Sequence, residues 1–296
     1  MGDHLLDHVR PWLEKTPSER IAFMRSPRWI AYSAARAALA RLEDLLVRPA
    51  SLRTQGLLLA GPYANGKSMI AERFAITHLR RCQAEDRPQQ VFVVQTREGT
   101  GLLNFYDGIL TALGAPQTRV RHTAAKAEQL DHLFRQLRPR VLIFDEFHNC
   151  LRGRTRDVEG IFAVLRRFGR EYDISPVLVG EVAVYDYMHL TDEMASRFTL
   201  APVPRWTDNE EYLALLDSLE AALPLMRPSN LSDERTARAV FALSEGLIGE
   251  VVGLVTRAAT AAIRDGSERI TAASIEALGT IPLSRRRGSP QREALL

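Results

Sequence analysis

The stretch from Gly56 to Phe74, GLLLAGPYANGKSMIAERF, decides the fold of this chain. An apolar run from Leu57 to Ala60 stops at Gly61, and a helical pattern of apolar residues follows Ser68. The segment between them has the form G-x-x-x-x-G-K-S, with a strand before it and a helix after it. This order predicts a phosphate-binding loop, because glycines let backbone N–H groups surround phosphate oxygens and the helix N-terminus adds partial positive charge.

Each residue type in this loop has an expected role. The Lys67 ammonium is expected to reach the β- and γ-phosphates of ATP, and the Ser68 hydroxyl is expected to hold Mg²⁺. The alternative is a glycine turn that happens to carry a lysine. The residues predicted to contact the nucleotide are Gly61, Pro62, Tyr63, Ala64, Asn65, Gly66, Lys67, Ser68 and Met69.

A second signal is the segment Val141 to Glu146, in which four apolar residues end in two acids. At the carboxyl edge of a parallel sheet, Asp145 is expected to lie beside Ser68, on an adjacent strand tip, and to complete the Mg²⁺ shell through water. Glu146 points to the other side, where it is expected to polarise an attacking water molecule. The alternative is an ordinary buried strand capped by acids.

The rest of the chain predicts an α/β core followed by helices. Apolar runs at 57–60, 91–95, 141–144, 174–180 and 198–203 alternate with helical patterns, which favours a doubly wound parallel sheet with its ligand at the strand C-termini. After Trp206 only helical patterns are evident. We therefore expect an N-terminal helical arm at 1–50, a nucleotide-binding core at 51–205, a helical lid at 206–280 and a disordered basic tail at 281–296.

Composition gives no global reason to expect nucleic-acid binding. The net charge is +3, but residues 285–296 alone hold four arginines and one glutamate, so the remaining residues sum to zero. Any basic surface must therefore be local. No apolar run approaches membrane-spanning length, so no membrane partner is expected. Cys82 and Cys150 lack metal-ligand spacing and fit a reducing cytoplasm.

Three stretches resemble the TniB/TnsC family of transposon-encoded AAA+ ATPases. They are the lead-in Arg28-Trp29-Ile30-x-Tyr32, the loop Asn65-Gly66-Lys67-Ser68 and the signature Asp145-Glu146-Phe147-His148-Asn149. The resemblance implies an AAA+ P-loop NTPase fold, with a parallel five-stranded αβα core, a C-terminal all-helical lid and a short N-terminal helical arm. Two positions depart from the AAA+ pattern: Gly180-Glu181 follows the fourth strand, and Gly249 or Glu250 stands where the lid usually carries an arginine.

The resemblance also implies an activity and partners. Such proteins hydrolyse Mg·ATP, assemble as rings or filaments on duplex DNA, and couple target DNA to a DDE transposase, often with a TniQ-type adaptor. By position, Arg197 matches the arginine finger, which would stabilise transition-state charge on the ATP of a neighbouring subunit. The alternative for Arg197 is a surface arginine that pairs with Glu193.

Related regulators contact the DNA backbone from segments after the second strand. Here the run from Arg119 to Lys126 contains no acid, and Arg97 lies two residues after the second strand. Phosphate contacts position a protein without specifying sequence, which suits a target selector. The alternative is a solvated loop between helices. The candidates are Arg97, Thr100, Arg119, Arg121, Thr123 and Lys126.

Two other functions remain open on sequence grounds. A helicase loader or replication-initiator-like ATPase has the same fold and needs a replicative partner. A scaffold that binds ATP without hydrolysing it is disfavoured, because Lys67, Ser68, Asp145 and Glu146 are all present.

Overall fold

The computed structural model of the protein describes residues 2–50, 54–98, 101–116, 122–190 and 192–288. The chain forms two compact units. Residues 33–204 form the sheet unit, and residues 1–32 together with 205–296 form the helical unit.

The sheet unit is built on five short parallel strands, which are β1 (Gly56–Ala60), β2 (Val91–Gln95), β3 (Val141–Asp145), β4 (Ser175–Gly180) and β5 (Phe198–Pro202). Their order is β2-β3-β4-β1-β5, with Leu57 opposite both Val177 and Thr199. Every residue of β1, β3 and β4 is buried, as expected for strands covered by helices on both faces. The five-stranded parallel core predicted from the sequence is therefore confirmed.

Helices cover this sheet and make up the other unit. Within the described residues the α-helices are, in chain order, α1 (Pro17–Arg25), α2 (Ser33–Val47), α3 (Lys67–Ala84), α4 (Leu102–Ala112), α5 (Thr123–Leu137), α6 (His148–Leu151), α7 (Thr155–Tyr172), α8 (Val182–Met188), α9 (Asp192–Ala195), α10 (Glu210–Ala221), α11 (Glu234–Ser244), α12 (Ile248–Arg264) and α13 (Ala272–Glu276). Short 3₁₀ helices occupy Arg10–Glu14 and Leu283–Gly288. In the part of the chain that the structure describes, no helix has the length and apolar character needed to cross a membrane.

The helical unit has its own core, to which both ends of the chain contribute. Leu216, Val251 and Leu254 are buried there together with Met24 of α1. Arg20 of α1 is 2% exposed, and its guanidinium pairs with Glu268 while its Nε donates to the carbonyl of Pro224 at 3.0 Å. A buried guanidinium needs such partners, so α1 is fixed onto the C-terminal helices by a specific ion pair.

The boundary between the two units in the N-terminal residues differs from the one expected from the sequence. Residues 1–50, expected to form one arm, are split: α1 joins the helical unit, whereas α2 packs against α3, β1 and β5 in the sheet unit. At the other end, 283–288 forms a 3₁₀ helix in which Arg286 donates to Glu250 at 3.1 Å. The part of the expected basic tail from residue 289 onward lies outside the described residues.

Candidate nucleotide site

The glycine-rich loop runs from the end of β1 to the start of α3, and its first glycine is required by close packing. A Cβ built on Gly61 would lie 2.1 Å from the carbonyl oxygen of Val203, far inside van der Waals contact. Further along, Ala64 and Gly66 have φ values of +53° and +84°. This left-handed backbone turns the loop tightly into α3, whose first N–H groups have no partner within the helix and face the loop's concave side.

Asn65 fastens the loop to the chain beyond β5. Its side chain is 1% exposed, and its Nδ2 donates to the carbonyl of Val203 at 2.8 Å and to that of Pro204 at 2.6 Å. Both protons of the amide are therefore used, in a place where unpaired polar groups are unfavourable. Sequence analysis gave Asn65 only as a loop residue; its anchoring depends on Val203, distant in sequence, and no local signal indicated it.

Lys67 and Ser68 begin α3. Lys67 is 7% exposed, and its ammonium donates to the carbonyl of Pro62 at 2.7 Å, across the loop. Burial lowers the pKa of Lys67 below its ordinary value, although the nearby carboxylates of Glu146, Glu181 and Asp145 act in the opposite direction. Of the remaining loop positions, Tyr63 and Met69 expose their side chains.

The Ser68 hydroxyl donates to Oδ1 of Asp145 at 3.0 Å. The two residues lie close together as expected, but their strands are not adjacent, because β4 lies between β1 and β3. The prediction that Ser68 and Asp145 follow adjacent strands was therefore wrong. The intervening strand β4 ends at Gly180, where a Cβ would come within 2.5 Å of Val184.

Asp145 is 3% exposed and is held from several sides. Its Oδ1 also accepts from the backbone N–H of Glu146 at 2.9 Å, and Gln95 Nε2 lies 3.5 Å from its Oδ2. The Thr96 hydroxyl lies within 2.6 Å of the carbonyl oxygens of both Asp145 and Glu146. Asn149 Nδ2 in turn donates to the carbonyl of Thr96 at 3.3 Å. Thr96 follows β2 directly, a position that sequence analysis did not select.

Glu146 has a φ of +53°, in the left-handed region that a glutamate rarely adopts. Such backbone is retained where its surroundings determine it, and it is concentrated at functional sites. The Glu146 side chain is 42% exposed, and its carboxylate lies 3.3 Å from Nε2 of His148. The same nitrogen lies 3.9 Å from Glu181, and His148 Nδ1 is buried without a hydrogen-bond partner among the described residues.

Arg197 lies at the amino end of the strands, opposite the end that carries the phosphate-binding loop. Its carbonyl accepts from the N–H of Gly56, the first residue of β1, at 2.8 Å, whereas the phosphate-binding loop follows the last residue of that strand. A five-residue strand spans about 16 Å, so the Arg197 backbone is that far from the loop of its own chain.

Of the six candidate DNA contacts, three lie within the residues that the structure describes. Arg97 and Thr123 are exposed, whereas Thr100, Arg119 and Arg121 lie outside the described residues. Lys126 is 3% exposed, and its ammonium pairs with Asp107 of α4. Because this ion pair is inside the protein, Asp107 compensates the charge of Lys126, which is not presented to a phosphate backbone at the surface.

A parallel sheet of order β2-β3-β4-β1-β5, with a glycine-rich loop after its β1 strand and an acidic pair after β3, defines an AAA+ P-loop NTPase fold. The family model of bacterial TniB proteins matches residues 20–208, more than half of the chain. The chain belongs to the TniB family.

Solved structures agree on the fold. The Aeropyrum pernix ORC2 protein, solved in ADPNP-ADP complexes, has a TM-score of 0.62 and 18% identity, over 86% of this chain and 69% of its own. The A. pernix ORC1 protein in complex with DNA gives 0.63 and 15%, over 87% and 68%. Drosophila ORC bound to DNA gives 0.62 and 15%, over 89% and 65%. Comparison with proteins of curated function gave no match.

Proposed function

We propose that this protein is a Mg²⁺-dependent ATPase that assembles on duplex DNA, selects target DNA for transposition and engages a DDE transposase. The observation that carries the ATPase part is the contact of Ser68 with Asp145 at 3.0 Å, beside Glu146 and the buried Lys67. Membership of the TniB family supports the transposition part.

The loop fits a nucleotide. The backbone is left-handed at Ala64 and Gly66, and together with the N-terminal turn of α3 it offers N–H donors to phosphate oxygens. Lys67 adds a buried cation. ORC2 of A. pernix, which shares the fold, was solved with ADPNP and ADP. The Ser68 hydroxyl and the Asp145 carboxylate are hard oxygen donors of the kind that Mg²⁺ prefers, so they fit this ion.

In this proposal Ser68 and Asp145 would hold the Mg²⁺, which would supply positive charge to the phosphates. Lys67 binds the β- and γ-phosphates. Glu146 orients a water molecule and accepts its proton as the water oxygen bonds to the γ-phosphorus and the bond to the β,γ-bridging oxygen breaks, which yields ADP and phosphate. His148, 3.3 Å from Glu146, holds this carboxylate in position.

Arg197 acts on the nucleotide of a second copy. The Arg197 backbone lies at the amino end of the strands, about 16 Å from the phosphate-binding loop of its own chain. This distance supports a contact between subunits. A head-to-tail arrangement of this kind builds rings or filaments. On such an assembly, exposed residues such as Arg97 and Thr123 contact the phosphate backbone of duplex DNA, and a TniQ-type adaptor joins the transposase.

The test is ATP turnover with Mg²⁺, with and without duplex DNA, for the wild type and Glu146→Gln. We expect the substitution to lower kcat by about 10²–10⁴-fold, because the general base is lost while binding groups remain. Nucleotide-dependent assemblies on duplex DNA should persist in this variant. Glu72→Gln, at an exposed position on α3, is the matched control and should turn over like the wild type.

Three results would contradict the proposal. A wild type that does not hydrolyse Mg·ATP removes the enzyme assignment. A protein that never associates with DNA, whatever the nucleotide, removes the target-selector assignment. Activity that responds only to single-stranded DNA or to a helicase favours a helicase loader instead.

A further inference from the structure

A basic loop, residues 152–156, connects α6 to α7 and includes the first two positions of α7. Its sequence is RGRTR, and the side chains of Arg152, Arg154 and Arg156 are all exposed. The candidate nucleotide site uses none of these side chains. Three guanidiniums so close together on the surface are a local concentration of positive charge, of the kind that binds an anionic partner.

Two hydrogen bonds place this basic loop beside the end of β2. Arg152 Nη1 donates to Oε1 of Glu98 at 2.9 Å. Asn149 Nδ2, one turn earlier, donates to the carbonyl of Thr96 at 3.3 Å. The strand β2 lies at the edge of the sheet, and β3 and β4 separate it from β1, which the phosphate-binding loop follows. At about 4.8 Å between neighbouring strands, the ends of β1 and β2 are about 14 Å apart, which argues against a contact between the basic loop and the nucleotide of its own chain.

The charges of Arg154 and Arg156 are not compensated within the part of the chain that the structure describes. Arg154 is the N-cap residue of α7 and Arg156 lies in its first turn, at the end of the helix where the macrodipole is positive and acidic side chains are favourable. Among the described residues, neither guanidinium has an ion pair or a hydrogen bond, and Asp157, the acid of that first turn, pairs with neither. Two cations in a place that disfavours them, without a counterion, indicate that this surface binds an anion.

The N-terminus of α4 lies next to that of α7 and adds a second set of donors. A Cβ built on Gly101, the N-cap of α4, would lie 4.0 Å from Asp157, and one built on Gly160 would lie 3.1 Å from Leu102. Neither helix has a side-chain cap, and α4 has no acid in its first turn. The first N–H groups of both helices are therefore open to an outside acceptor. Helix N-termini and arginines are groups with which proteins contact DNA phosphates.

We propose that the basic loop, together with the N-terminal turns of α4 and α7, binds the phosphate backbone of duplex DNA. This inference rests on the proposed function and adds Arg154 and Arg156 to the residues that contact the DNA there. Duplex DNA carries one negative charge per about 1.7 Å of its axis, so it can engage the guanidiniums and both helix N-termini at once. Such contacts carry no sequence information, as a selector of many target sites requires. Glu98 limits the attraction, because its carboxylate occupies Arg152 and repels phosphates.

The test is a fluorescence anisotropy titration of labelled duplex DNA with the full chain and Mg·ADPNP, repeated at several salt concentrations. Arg154→Gln and Arg156→Gln should each reduce the slope of log affinity against log salt by about 0.9 in magnitude, the value for one lost phosphate contact. A rise in salt from about 50 to about 200 mM should then weaken binding about 3.5-fold less than in the wild type. Glu98→Gln should instead bind DNA more tightly than the wild type, because a carboxylate is removed and Arg152 is freed.

Arg80→Gln is the matched control. Arg80 is an exposed arginine near the C-terminal end of α3, and its substitution should leave both the affinity and the slope unchanged. The folding of each variant is checked by far-UV circular dichroism, and a misfolded protein cannot account for tighter binding by Glu98→Gln.

Wild-type slopes in both arginine variants would overturn the inference and leave the proposed ATPase and its DNA binding standing. The inference is equally overturned if these variants keep the slope but lose nucleotide-dependent self-association measured without DNA, since the basic loop is then a protein contact. A wild type that does not bind duplex DNA overturns the inference together with the target-selector part of the proposed function.

Discussion

Replacing Asn65 by aspartate tests whether the phosphate-binding loop is held by its bonds to the chain beyond β5. The change keeps the shape of the side chain but exchanges an amide donor for a carboxylate acceptor. The amide now donates to Val203 at 2.8 Å and to Pro204 at 2.6 Å, in a site that is 1% exposed. After the change, the carboxylate oxygen that replaces Nδ2 faces both carbonyl oxygens, and no proton lies between these acceptors.

The size of the effect follows from these contacts. Two lost hydrogen bonds contribute about 1 kcal/mol each. An unpaired buried charge adds several kcal/mol more, so Asn65→Asp should lower the free energy of unfolding of the sheet unit by about 4 kcal/mol at pH 7.5. Since whole domains are stable by only about 5–15 kcal/mol, the variant should be close to unfolding. The affinity for Mg·ATP should also fall, because the loop loses its anchor.

The assay is urea unfolding followed by far-UV circular dichroism. Tryptophan fluorescence is unsuitable, since Trp12, Trp29 and Trp206 all belong to the helical unit. Burial should raise the pKa of the new carboxyl group above its unfolded value. The loss of stability is then full above the folded pKa and shrinks as the pH falls towards the unfolded pKa, so the two proteins should converge in acid.

Asn209→Asp is the matched control for this prediction. Asn209 caps α10, where its Oδ1 accepts from the N–H of Tyr212 at 3.0 Å in an exposed position. Aspartate caps a helix equally well, so stability should change by less than about 0.5 kcal/mol. If Asn65→Asp has the same small effect and binds nucleotide normally, the bonds to Val203 and Pro204 do not hold the loop.

Three further substitutions test other parts of the structure. Gly61→Ala should lower ATP turnover by about 10²-fold, because the new methyl group would lie 2.1 Å from Val203 O and must displace the loop by about 1 Å; a normal kcat would contradict this. Asp173→Asn should lower the free energy of unfolding by about 2 kcal/mol at pH 7. Burial alone raises the pKa of Asp173, but hydrogen bonds and ion pairs with Arg48 and Arg140 hold this pKa below its usual value. The stability that Asp173 contributes is therefore present above its unfolded pKa and is lost as the pH falls through its folded pKa. Urea unfolding of the wild type and the variant at pH 7 and in acid checks this. A difference in stability between the two proteins that does not narrow in acid would count against it. Lys126→Met should lower the melting temperature without changing affinity for duplex DNA in an anisotropy titration; weaker DNA binding at unchanged stability would restore Lys126 as a DNA contact.

Much of the fold could be predicted from the sequence because its signals are local. The apolar runs of β1, β3 and β4 are short, bounded by glycine or acids, and buried on both faces. The sequence analysis predicted a helical arm at 1–50 but gave no bounds for the helices within it. The start of α1 has a local signal, because Pro17 stands at the first helical position, after a capping box formed by Thr16 and Glu19, where proline is favourable.

The site was predictable only in part, for a related reason. The loop motif predicted Lys67 and Ser68, and the acids after an apolar run predicted Asp145. Strand order has no local signature, so the place of β4 between the two motifs could not be derived. Lys126 was misinterpreted because its partner Asp107 lies 19 residues earlier, on another helix.

The candidate site depends on the whole strand order rather than on the loop motif alone. Asn65 is fixed by the chain after β5, Ser68 by an acid at the end of β3, and that acid's backbone by Thr96 after β2. The strand β4 contributes Gly180 at its tip. Shifting the register of any one strand by a single residue would turn its side chains to the opposite face and remove one of these contacts. A glycine-rich loop with a lysine therefore predicts where phosphate binds, while hydrogen bonds at the ends of β2, β3 and β5 hold the loop and its acidic partner in place.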